Sequence, residues 1–164
     1  MLVIYKKTLK ITTDSIKYYF KIKELLTCDF DVNWTPEWIY CEMTSVPIEG
    51  HSWTLLVRNG SENFKLIYRS SKPSQQNEMN NLGVFNFDTI KINEKVVHIS
   101  HNDISEIEHL LESNLTVNKT NRIILDGNDN ELTDFENQNN YSWKLDEEIS
   151  SNLKELVQTI KRIN

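Results

Sequence analysis

Glycine is scarce in this chain. Gly50, Gly60, Gly83 and Gly127 stand far apart, whereas a loop that wraps a phosphate needs glycines close together, which disfavours nucleotide-dependent chemistry. Cys28 and Cys41 are the only cysteines. Two thiols cannot build a disulfide framework or a four-cysteine zinc site, and they are expected to be reduced and buried. A Gly-x-Ser-x-Gly elbow is also missing, so no motif marks a nucleophile. No apolar run approaches the roughly 18 residues of a membrane-spanning helix, and the opening "MLVIYKKTLKITTD" lacks the apolar core of a signal peptide. These absences predict a cytoplasmic location and no membrane partner. Positive charge is in short supply too: 18 Lys and Arg face 24 Asp and Glu, for a net −6. That balance argues against general nucleic-acid binding, which needs clustered cations.

What is present is enough for one core. With 38% hydrophobic and 10% aromatic residues, 164 residues suit a single domain spanning 1–164. "WIYCEMTSV", "SWTLLVRN" and "NFKLIYRSS" are rich in β-formers and predict three strands. Asn59-Gly60 supplies a hairpin turn between the last two. "SIKYYFKIKE" alternates Ile16, Tyr18, Phe20 and Ile22 with polar or amphipathic neighbours, the period of a strand, although an amphipathic helix through Leu26 stays open as an alternative. "LVIYKKTLKI" before it is a possible hairpin partner, and Lys72–Gly83 reads as an exposed loop. "TIKINEKVVHIS" reads as two short strands meeting at Asn93-Glu94.

Two helices have clear signals. Ser100 stands at an N-cap with Asp103 three residues on, and Ile104, Ile107, Leu110 and Leu111 recur at helical spacing. At the far end, Ile149, Leu153, Leu156, Val157, Ile160 and Ile163 form one stripe, with Asp146 as the expected cap and Lys161 and Arg162 at the negative end of the helix. Between them, "RIIL" predicts a strand, Asp126-Gly127 a turn, and Tyr141 and Trp143 a return strand. The fold class is therefore α+β: a mainly antiparallel sheet with a mid-chain helix and a C-terminal amphipathic helix packed on it.

Candidate chemistry is sparse. His98-x-x-His101, with Glu108 or His109 nearby, is the one pair at a metal-like spacing, but it lacks the paired-cysteine or His-Glu-x-x-His grammar of zinc sites. "DGNDNE", Asp126–Glu131, has its glycine in the wrong place for an EF-hand. No metal and no cofactor are expected. Charge is distributed unevenly instead: six lysines and one acid fall in residues 1–23, and acids dominate from Asp103 to Glu148, an asymmetry that can steer a basic partner to one face.

The stretch "RIILDGNDNELTDFENQNNYSWKLD" and the helix behind it resemble a pattern of small bacterial immunity proteins from polymorphic-toxin and contact-dependent growth inhibition systems. The resemblance lies on Asp126, Gly127, Tyr141 and Trp143 and covers about the last forty residues. It implies a non-catalytic protein that binds a cognate toxin domain, for instance a nuclease, and occludes its active site. The partner-binding residues expected on that basis are Asp126, Asp129, Glu131, Asp134 and Glu136, with Glu106, Glu108 and Glu112 as a second acidic surface. The rival readings are a small hydrolase built on His98 and His101 with nearby carboxylates, and a secretion-system adaptor.

Overall fold

A computed structural model describes residues 17, 20–27, 33–44, 51–60, 63–71, 90–119, 128–144 and 147–164. Its centre is a six-stranded antiparallel sheet. The strands are β1 (Thr35–Thr44), β2 (His51–Asn59), β3 (Asn63–Ser71), β4 (Ile92–Val97), β6 (Asn128–Asp134) and β7 (Asn139–Lys144), in the order β4-β3-β2-β1-β6-β7. A two-stranded ribbon pairs β5 (Val117–Asn118) with β8 (Glu148–Ile149). Among the described residues the helices are α1 over residues 20–27, α2 (His101–Leu111) and α3 (Ser151–Ile163). The α+β class expected from the sequence is what forms.

Strand periodicity sorts side chains into two layers. One row across the sheet runs Val97, Leu66, Leu56, Trp38, and the next carries Tyr40, Leu132 and Tyr141. This face packs against Ile107 and Leu110 of α2 and Leu153, Leu156 and Ile160 of α3 in one core. A Leu-to-Ala change in such a core typically costs about 2–5 kcal/mol. The opposite face presents Leu55, Val57, Trp53, Cys41 and Met43, covered by Ile22 and Leu26 of α1.

The meander forms as expected, and Gly60 takes the turn at φ +72°. Ser100 caps α2: its Oγ accepts from Asp103 N at 3.1 Å and donates to Asp103 Oδ2 at 2.5 Å. Other expectations are corrected. The alternating stretch from Ile16 includes a helix over 20–27, the alternative reading, because Ile22 and Leu26, four apart, supply the buried face while Phe20 is 62% exposed. Asn93 and Glu94 do not separate two strands. They lie within β4, an edge strand whose polar side chains reach solvent while Glu94 accepts from Arg69 Nε at 2.7 Å.

The acid-rich segment behind Asp126-Gly127 is itself strand β6, and the turn that delivers Tyr141 and Trp143 lies at residues 135–138, with Gln138 at φ 55°. Ser150, not Asp146, caps α3, since its Oγ accepts from Leu153 N at 3.3 Å. Ile149 belongs to β8, opposite Val117, so the helix starts later than its apolar stripe suggests. The expected hairpin partner "LVIYKKTLKI", the loop Lys72–Gly83, the strand "RIIL", the Asp126-Gly127 turn, Cys28 and Asp146 lie outside the described residues.

Candidate functional site: an acidic cleft at the end of α2

Where β1 begins, its register against β2 slips between Pro36 and Trp38, leaving Glu37 as a bulge residue. A bulge re-aims its side chain and is common beside functional sites. Glu37 therefore meets two other features. Its carbonyl accepts from Phe135 N at 3.0 Å, which ties the bulge to the β6–β7 turn, and its carboxylate accepts from Arg58 Nε at 2.6 Å.

Between this bulge, the 135–138 turn and the last turn of α2 lies a cleft of about 300 Å³. Trp38, Leu56, Phe64 and Leu111 provide its apolar walls, and Glu37, Glu108, Glu112, Asp134 and Glu136 its carboxylates. No described cation forms a salt bridge with Glu108, Glu112, Asp134 or Glu136. Arg58 borders the group: the hydrogen bond and charge of Glu37, then the charges of Glu136 and Glu108, raise its pKa further. Phe135 stands 42% exposed on the same turn as Glu136. The floor carries a cost of its own, because Trp38 is 1% exposed and its indole Nε1 has no hydrogen-bond acceptor among the described residues. A buried donor left this way costs about 1–3 kcal/mol.

The sequence-predicted acids divide into three groups. Glu108, Glu112, Asp134 and Glu136 meet in this cleft, although they come from two segments of the chain. Asp134 is not part of an exposed patch: it is 2% exposed, and its carboxylate accepts from the backbone of Glu136 and Asn137 and from Asn137 Nδ2, shaping the turn. Glu106 is occupied within the fold. Its carboxylate accepts from Arg162 at 2.9 Å and Thr159 at 2.9 Å, and the Arg162 hydrogen bond leads the causes that lower its pKa.

Asp129 and Glu131 lie in a different cavity, with Lys23, Lys119 and Lys144 among its lining. Lys23 sits 3.3 Å from Glu131, and Lys144 3.8 Å from Asp129. That cavity also holds Cys41, a free buried thiol whose pKa burial pushes up to about 12, helped by the charge of Glu131. Such a thiol is a poor nucleophile. Asp126 lies outside the described residues.

His98 and His101 border a separate groove and not the acidic cleft. Among the described residues, no group of three or more His, Cys, Asp or Glu could hold a metal ion. Also among them, no helix is long and apolar enough to cross a membrane. Sequence reasoning missed Glu37, and the signal available for it was Pro36, which lies two residues before the predicted strand and inside the observed one, where a proline marks a bulge or an edge. No family model matches the chain, and searches among curated proteins and solved structures found no match either.

Proposed function

We propose that this protein is a non-catalytic inhibitor that captures a basic partner in the acidic cleft, and that the partner is a cognate toxin domain of the polymorphic-toxin class. The observation that carries the reading is the convergence of five carboxylates from β1, α2, β6 and its turn around one apolar-floored cleft. Such a cleft focuses negative potential, speeds encounter with a cationic surface and discriminates against acidic ones. The exposed Phe135 beside it offers an aromatic anchor of the kind that dominates protein interfaces. If the toxin is a nuclease, these carboxylates occupy the place of substrate phosphates.

The toxin assignment comes from the resemblance of the C-terminal stretch and is tested directly. The protein is co-expressed with the product of the adjacent upstream gene. Survival of the cells together with elution of the two as one complex is the expected result. Failure of both removes the inhibitor reading.

A further inference from the structure

Alongside the acidic cleft runs a groove of opposite character. It is about 380 Å³ in volume, it shares Phe64 with the cleft, and among the described residues no carboxylate lines it. In a chain with 24 acids and 18 Lys and Arg, a groove that no described carboxylate lines, beside an acidic cleft, marks a local contrast of charge. Lys65 brings a positive charge to the groove, and His98 and His101 bring ring N–H groups. Lys65 Nζ rests 4.0 Å over the ring of Trp34, and among the described residues no acceptor bonds to it. Neither histidine ring forms a hydrogen bond or ion pair with a described residue.

Helix α2 strengthens the contrast. Its positive end, at His101, borders the groove, and its negative end, at Leu111 and Glu112, borders the cleft. A helix is stabilised by acids at its start and bases at its end, so His101 at the first position and Glu108 and Glu112 near the last are placed against stability. The acid of the first turn, Asp103, does not cancel the effect at the groove, because its carboxylate is engaged by Ser100 and Arg162. The positive end of the macrodipole thus lies beside Lys65 at the groove, and its negative end beside Glu108 and Glu112 at the cleft, with His109 in the same last turn. Local choices that oppose stability without packing gain are the pattern expected of a binding face.

We infer that the His98–His101–Lys65 groove seats a carboxylate-bearing segment of the same partner whose basic surface fills the acidic cleft, so that the docking face is dipolar and fixes the partner's orientation. The claim of one partner rests on the inhibitor reading. The groove's preference for an acidic segment does not, and it is tested on the isolated protein. Phe64 and Trp34 flank the polar groups and favour an acidic residue next to an apolar one over a bare anion.

The test follows the imidazole carbon-bound protons of His98 and His101 by NMR while the intact protein is titrated with a hexaglutamate peptide, a hexalysine peptide or inorganic phosphate. Hexaglutamate is expected to shift both rings, with binding about 5-fold weaker in the H98A/H101A variant, because both ring N–H donors of the groove are removed. Three results overturn the inference: no shift with hexaglutamate, an equal shift with hexalysine, or a response to inorganic phosphate without one to the peptide. If the groove fails while toxin rescue succeeds, the dipolar face is wrong and the inhibitor reading stands. If rescue fails while the groove binds hexaglutamate, the inhibitor reading falls and the groove's anion preference stands.

Discussion

Glu108 and Glu112 face the cleft from the C-terminal end of α2, where the helix carbonyls already concentrate negative charge. Neutralising both, as E108Q/E112Q, is expected to leave stability unchanged or raise it by about 0.3–1 kcal/mol, measured by urea denaturation. The same change should weaken capture of a basic partner. A stability loss above about 1 kcal/mol would mean that these residues serve the fold instead. His51 makes a second residue-scale prediction. It is 2% exposed, and burial lowers its pKa from 6.5 to about 4. Between those values the unfolded chain binds a proton that the folded chain refuses, so stability rises with pH across this window and falls on acidification. The shift corresponds to at most about 3 kcal/mol, and H51F should flatten the pH dependence of the unfolding midpoint between pH 6.5 and 4. An unchanged slope in H51F would contradict this account.

At the scale of elements, Arg69 fastens the C-terminal end of α1. Arg69 is buried on β3, donates from Nη1 to the Leu26 carbonyl at 3.1 Å and from Nε to Glu94 at 2.7 Å, and stacks over Trp53. It thus satisfies a carbonyl at the C-terminal end of α1, which the helix cannot satisfy itself. Replacing it with methionine keeps much of the volume but removes that bond, and the expected loss is about 2–4 kcal/mol. Hydrogen exchange should quicken in residues 20–27 more than in α2 or α3. Uniform quickening would show that Arg69 supports the whole sheet and not this one contact. The β2–β3 turn gives a sharper case: Gly60 sits at φ +72°, with nothing within 4 Å of where a Cβ would be. Gly60→Ala should therefore cost about 1–2 kcal/mol through backbone conformation alone, and Gly60→Asn less; equal costs would argue for a steric cause.

Elements whose sequence and environment agree were legible: the three strands of the meander, and α2 with its Ser100 cap. Strand β6 was not, because two of its inward positions are polar. Asn130 is buried there as acceptor for the Tyr40 hydroxyl at 3.0 Å, and Asp134 is buried to hold the turn. Neither leaves the apolar alternation that identifies a strand. The start of α3 was misplaced because Ile149 continues the helical stripe while its backbone pairs with Val117. For α1, a run with period two concealed an apolar pair at helical spacing.

For the whole molecule, the acids that the sequence groups by proximity are separated by the fold, and others distant in sequence are brought together. Asp129 and Glu131 lie within salt-bridge distance of lysines, Glu106 serves Arg162 and Thr159, and Glu108, Glu112 and Glu136 join Glu37 and Asp134 in one cleft. No sequence window could group Glu37 with Glu112, because their meeting depends on the β1 bulge and on the docking of α2. The central claim is that this cleft, and not the general acidity of the chain, captures the partner. Its most direct test is the dissociation constant of the complex with the co-purified toxin at several salt concentrations, for the unmodified protein, for E108Q/E112Q/E136Q and for D129N/E131Q. The account predicts that the cleft variant binds about 10- to 100-fold more weakly with a shallower salt dependence, and that the second variant, which removes two carboxylates of the same acidic stretch, binds as before. Equal losses in both variants, or none in the cleft variant, would contradict it.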